Sequence, residues 1–229
     1  MDKKTIKRSG DTSDLLLQRL LEEIVSGTLP AGKPIRETQL ALKWEVSRTP
    51  VREAVRSAAA MGLIELRPNQ RPLVKNYSQK DLINLTEVRI ALELLAFDNS
   101  IDILIGSIKV KKLLEKSVTV QNSNLRKTLT KKALEVDTNL HRLWIDSCEN
   151  QFIVFTFESL WPFIRILQRV AANDTNRASL ALSEHISILK AIYEDEKELA
   201  RQLLENHLRS STPLLQQLLK KNNDKQLRV

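Results

Sequence analysis

The chain has 229 residues, 42% hydrophobic and 28% charged, with a formal net charge of +8 at pH 7. That length is enough for two modest cores, and the single cysteine, Cys148, excludes an internal disulfide framework. No run of about 18 apolar residues occurs, which excludes a helical membrane span, while the basic balance favours a polyanionic partner such as nucleic acid.

The opening MDKKTIKRSG carries charge with no apolar run behind it, so residues 1–10 read as a flexible basic arm rather than a secretion signal. With its lone thiol, the chain is expected in the cytoplasm. Four of the five glycines and five of the seven prolines precede Tyr77, and the Leu-rich remainder is long and periodic. This shift in composition places a boundary near residues 76–79. It predicts one domain over 11–76, a linker over 77–81, a second domain over 82–221 and a frayed tail over 222–229. Residues 1–76 hold 14 Lys+Arg against 9 Asp+Glu, a surplus of five, so most of the excess positive charge lies in the first third.

Residues 11–26 read as a helix, with Leu16, Leu20 and Ile24 alongside Leu17 and Leu21 at helical spacing and Gly27 as the stop. GTLPAGKPI is a turn, and residues 37–44 a short second helix. After a break at Glu45-Val46, Ser47 caps a third helix that holds Pro50 in its first turn, where a missing N–H costs nothing, and Glu53 within reach of its start. Val51, Val55 and Ala58-Ala59 form its buried face, and Gly62 ends it. Two strand-like runs, LIELR and PLVKN, are joined by PNQR. Helix, helix-turn-helix and hairpin together predict a winged helix-turn-helix. Ser47, Arg48, Thr49 and Arg52 crowd the N-terminal end of the third helix, the end that enters the major groove in such domains. Arginine there can grip guanine through O6 and N7, and Asn69, Gln70 and Arg71 of the wing can reach the adjoining minor groove or backbone.

The string VSRTPVREAVRSAAAMGLIELRPN, preceded by LPAGKPIRETQLA, closely resembles the signature of GntR-family regulators. The resemblance spans residues 11–76. It implies DNA contacts from Ser47, Arg48, Thr49, Pro50 and Arg52, with Thr38 and the wing in support. Two positions depart from the family pattern: Glu45 stands where glycine is usual in the turn, and Arg71 where glycine is usual in the wing.

The second domain reads as about six helices with no strand alternation, hence a helical bundle, with Pro162 bending or interrupting the fourth helix and Pro213 kinking the last. All three histidines lie here. Asp137 and His141 are four apart and share a helical face, while His185 and His207 belong to two other helices. A carboxylate and three imidazoles from three helices suit a divalent metal, although the spacing alone also fits ordinary surface or core histidines. EVRIALELLA, VDTNLHRLW, SEHISILKAI and LLENHL, in that order, are similar to the FCD ligand-binding domain of the FadR subfamily over residues 82–219. That resemblance implies a metal held by Asp137, His141, His185 and His207, and an effector-facing Arg89.

The reading is a mainly α protein: a homodimeric, ligand-responsive repressor of operator DNA that binds Zn²⁺ (or Ni²⁺ or Mn²⁺) and a small carboxylate effector. The aliphatic faces of the first effector-domain helices are expected at the dimer interface. A metalloenzyme would leave the DNA-reading module unexplained, and no separate acid or base stands beside the ligands. A purely architectural DNA-binding protein would leave the helical domain unexplained.

Overall fold

The computed structural model describes residues 9–122, 126–172 and 175–210. The expected basic arm over residues 1–8, the tail over 222–229 and the kink at Pro213 lie outside them. The chain divides into two compact units, Met1–Tyr77 and Ser78–Val229. No described helix is long and apolar enough to cross a membrane.

In the first unit, α1 (Ser9–Val25) begins two residues earlier than the sequence suggested and takes in Ser9 and Gly10 of the expected arm. It buries Leu16, Leu20, Leu21 and Ile24 against α3 and stops at Gly27, whose positive φ suits a residue without Cβ. Helix α2 (Glu37–Trp44) and helix α3 (Arg48–Ala60) follow. α3 buries Val51, Ala54, Val55 and Ala58, leaving Ala59 half-buried. Ser47 occupies the N-cap position of α3, but its hydroxyl makes no capping hydrogen bond. Nor does Glu53 turn back to the helix start: its Oε2 accepts from Ser13 Oγ of α1 at 2.6 Å.

Strands β1 (Ile64–Glu65) and β2 (Leu73–Val74) pair antiparallel, Ile64 opposite Val74. The turn before α2 adds a third rung, because Ile35 N donates to Pro72 O and Val74 N to Lys33 O. The wing is thus anchored on both sides rather than being a free hairpin.

In the second unit, α4 (Gln79–Leu104) opens on a capping box: Ser78 Oγ accepts from Asp81 N, and Asp81 Oδ2 accepts from Ser78 N. Helices α5 (Ile108–Gln121), α6 (Arg126–Ile145), α7 (Gln151–Ala172) and α8 (Thr175–Tyr193) follow, then α9 over residues 197–210. α7 runs unbroken through Pro162. Proline there removes one helical N–H, and the surrounding packing holds the helix, with Phe157 and Ile164 buried on either side of it.

Helix α6 is the hub of this unit, packed on α4, α5, α7 and α8. Leu140, Trp144 and Ile145 of α6 are fully buried with Phe97, Phe157, Ile188 and Leu204, and Cys148 is buried in the same core. A side chain on the inner face of α6 therefore meets several other helices at once.

Candidate DNA-reading face and candidate metal centre

The turn between α2 and α3 hangs on Glu45, which adopts the left-handed conformation (φ 59°, ψ 40°) as its N–H and that of Val46 close on Leu42 O and Ala41 O. Beyond it, the apolar face of α3 is fixed by burial, so Ser47, Arg48, Thr49 and Arg52 are left exposed, with Pro50 half-buried. Thr38, Arg48, Arg52, Gln70 and Arg71 border one open groove. Ser47, Thr49, Pro50 and Asn69 lie outside its lining.

Two arginines that the sequence reading passed over, Arg36 and Arg56, line the same groove and are exposed. Their signal was present in the Arg52–Arg56 spacing of one helical turn. The groove thus gathers five guanidinium groups around one carboxylate, Glu37, which pairs with Arg52 Nε at 3.3 Å. A concentration of cations on one face is what phosphate attraction requires. At the wing tip the left-handed residue is Asn69 (φ 57°) and not Arg71. Asparagine tolerates that region better than most residues, so Arg71 needs no glycine-like backbone.

In the helical unit, Asp137 and His141 of α6, His185 of α8 and His207 of α9 converge. Their donor atoms all lie within 4.8 Å of one another. His185 Nε2 is 3.2 Å from both His207 Nε2 and Asp137 Oδ1. His141 Nε2 is 3.3 Å from His207 Nε2 and 3.6 Å from Asp137 Oδ1. A tetrahedral ion with ligands at about 2.0–2.1 Å has ligand–ligand edges of about 3.3 Å, so these donors are spaced for one cation. The histidines are buried, at 0, 1 and 6% exposed for His141, His185 and His207.

The outer nitrogens are tethered as well. His141 Nδ1 meets Glu93 Oε2 at 2.5 Å, and His207 Nδ1 meets Glu184 Oε2 at 2.6 Å. A carboxylate on Nδ1 holds the proton there and turns the Nε2 lone pair inward. His185 Nδ1 is buried with no partner among the described residues.

Burial sets the titration of this cluster. It lowers His185, and it pushes His207, beside His185, down to about 3. Burial also pulls on His141, but the Glu93 and Asp137 carboxylates prevail and hold it above the usual imidazole value. Burial would raise Glu93 and Asp137, yet His141 and Arg89 bring Glu93 to about 2, and His141 with His185 holds Asp137 well below its ordinary range. The cluster therefore offers two ionised carboxylates and two imidazoles that resist protonation.

Arg89 is buried beside it. Its Nε donates to Glu93 Oε1 at 2.6 Å, while its Nη2 has no partner among the described residues. Arg89, Asp137 and His207 border a cavity of about 50 Å³, together with Gln168 and Arg177. Glu93, Glu184, Arg177 and Gln168 were not anticipated. Glu93 lies one turn from Arg89 and Glu184 directly precedes His185, which is the only trace the sequence carries of their roles.

The gntR family of bacterial regulatory proteins matches residues 12–74, and the FCD domain matches residues 84–210. The chain belongs to the gntR family and is a transcriptional regulator of the type that joins a winged helix-turn-helix to an FCD domain; such regulators bind operator DNA and typically dimerise. It is 28% identical over 201 residues to a Paenarthrobacter nicotinovorans protein named "Probable D-xylose utilization operon transcriptional repressor", covering 85% of this chain and 84% of that one. Its fold is shared by E. coli McbR/YncC, with a TM-score of 0.75 and 18% identity over 90% of this chain and 97% of that chain. The Zn²⁺-bound FCD domain of TM0439, a transcriptional regulator, superposes with a TM-score of 0.55 and 21% identity over 63% of this chain and 97% of that domain.

Proposed function

We propose that this chain is a homodimeric repressor whose operator affinity answers to a small carboxylic acid bound beside a divalent metal ion. One observation carries the reading. Three histidine Nε2 atoms and a carboxylate oxygen lie within 4.8 Å of one another, four of their separations being 3.2–3.6 Å, in a buried cluster at the edge of a cavity bordered by an arginine with an unpartnered Nη2. Three imidazole nitrogens and a carboxylate gathered this closely can share one cation, and the donor set suits Zn²⁺ first, with Ni²⁺ and Mn²⁺ also accommodated. The name of the Paenarthrobacter relative supports repression, and the zinc of the TM0439 domain supports the choice of metal.

The ion would be held by Asp137, His141, His185 and His207. When bound it would supply a fixed positive charge that draws a carboxylate to its side of the cavity. Arg89 provides the other attraction: Glu93 fixes its Nε and leaves the rest of the guanidinium for the acid. The same Glu93 holds His141, so the acid-binding arginine and a metal ligand share one carboxylate. Glu184 does likewise for His207 and Arg177. Binding of an acid is thereby felt on α4, the helix that follows the DNA-reading unit in sequence, and on α9. A coupling of about 1–3 kcal/mol between acid and operator is the expected scale.

In the first unit, Arg48 reads a base edge, Arg52 is steered by Glu37, and Thr38, Ser47, Thr49, Pro50, Asn69, Gln70 and Arg71 fix the register on the backbone. The test combines elemental analysis of the purified protein with anisotropy titration of operator DNA, with and without candidate acids. About one metal ion per chain and an acid-dependent operator affinity are expected. A protein that holds no metal and takes up none from Zn²⁺, Ni²⁺ or Mn²⁺ removes the reading.

A further inference from the structure

The cavity beside the cluster is walled mainly by Ala133, Leu134, Leu167, Ala171, Ala178 and Ala181. Into this apolar wall α7 places Gln168, which is only 5% exposed and has neither amide oxygen nor amide nitrogen partnered among the described residues. Its neighbours along the wall, Leu167 and Ala171, show what the packing itself asks for at such a position. A buried amide with neither end bonded works against folding, so its presence points to something the cavity takes in. At about 50 Å³ the space is small and suits a short molecule.

We propose that Gln168 is the specificity-determining residue of the cavity, selecting short acids that carry hydroxyl groups over acids that carry none. The inference rests on the acid-binding reading above: with a carboxylate on the Arg89 side, the rest of a short acid lies among alanines and leucines, where Gln168 is the polar side chain with neither end bonded among the described residues. A hydroxyl both donates and accepts, so one hydroxyl satisfies either end of the amide and a diol satisfies both. An acid without hydroxyls seats apolar carbon against the amide and leaves both ends unbonded. Sites built to bond a hydroxyl discriminate strongly against analogues that lack it, for that reason.

The experiment uses full-length protein loaded with Zn²⁺ and three probes, propionate, lactate and glycerate, titrated calorimetrically into wild type, Gln168→Met and Gln168→Leu. Wild type is expected to bind glycerate and lactate at least about tenfold more tightly than propionate. Both variants should lose most of that preference by weakening the hydroxy acids while leaving propionate unchanged. Melts of the ligand-free variants should stand at or above wild type, since two unbonded polar atoms have been removed. A preference for hydroxy acids that survives in the variants overturns the assignment, because the hydroxyl is then recognised elsewhere. So does an equal loss for all three acids, or a lowered melting temperature, either of which makes Gln168 a support for the cavity. Wild type that binds none of the acids removes the acid reading itself, whereas wild type that binds propionate as well as glycerate removes only the role of Gln168.

Discussion

At the residue scale, backbone conformation separates the two departures from the family pattern: Glu45 occupies a left-handed position and Arg71 does not. Glu45 sits in the left-handed region, where a Cβ costs roughly 1–2 kcal/mol. Glu45→Gly should therefore stabilise the protein by about 1 kcal/mol, read as a higher urea midpoint with unchanged slope; an unchanged or lower midpoint would mean that the side chain compensates. That position was legible, because glycine is usual there. In the wing the left-handed residue is Asn69, which leaves Arg71 an ordinary backbone and a side chain on the groove. Arg71→Gly should weaken operator binding and flatten its salt dependence by about one unit of slope, and an unchanged slope in salt-dependent anisotropy would place Arg71 off the DNA. Arg48 is exposed and borders the same groove, so Arg48→Ala should cost about 1–3 kcal/mol of specific affinity with little change in thermal stability. Gel-shift titrations with equal affinity for both proteins would refute its role.

At the element scale, helices could be read from the chain because their causes are local, whereas Ser47, expected to cap α3, makes no capping bond. Ser78 with Asp81 three residues on, and Ser107 before Ile108, mark helix starts in the sequence and cap them in the structure. What holds the cluster in place was not legible, because it spans elements: Glu93 and His141 are 48 residues apart, and Glu184 and His207 are 23 apart. Helical spacing can put Asp137 beside His141, but no periodicity says which carboxylate on α4 will face α6. The same cluster fixes the pH response. His207 is depressed to about 3 and His185 is lowered from the ordinary imidazole value. Stability from keeping them neutral is present above about pH 6.5 and is lost as pH falls below it, for His207 down to about 3. His141, raised by its carboxylates, acts with the opposite sign: its contribution is full below about 6.5 and is lost as pH rises through its raised value. Metal binding needs neutral imidazoles, so the melting-temperature gap between Zn²⁺-loaded and metal-free protein should narrow between pH 7 and pH 5. A gap that does not depend on pH would exclude ligation by His141, the imidazole held above its usual value. His185→Ala should abolish stoichiometric metal and blunt the response to acid while leaving unliganded operator binding largely intact.

At the scale of the whole molecule, the question is how one reading head recognises an operator. A two-fold operator needs two heads at a fixed spacing, so a surface must join two chains, and the helical unit offers apolar faces for it. On α7, Phe152 and Phe155 are 85 and 76% exposed, three residues apart on one face of the helix. On α4, which packs against α7, Val88 and Leu95 are each about half exposed, seven residues apart and so in line along the helix. Single exposed hydrophobes are ordinary on protein surfaces, but two largely exposed phenylalanines side by side are a large apolar area to leave in water. The sequence reading expected the interface on the aliphatic faces of the first effector-domain helices. Val88 and Leu95 lie on the first of those helices, and α7 adds the aromatic pair. Burying both phenylalanines against a second chain would remove some of the largest exposed apolar groups in this unit, each contributing roughly 1.5–3 kcal/mol when fully buried. Phe155→Glu should therefore shift the protein from dimer to monomer in sedimentation at micromolar concentration while leaving helix content unchanged by circular dichroism. Operator affinity should fall steeply, because each head must then bind its half-site alone, whereas affinity for an isolated half-site should stay the same. A variant that remains dimeric and keeps full operator affinity would move the interface away from α7.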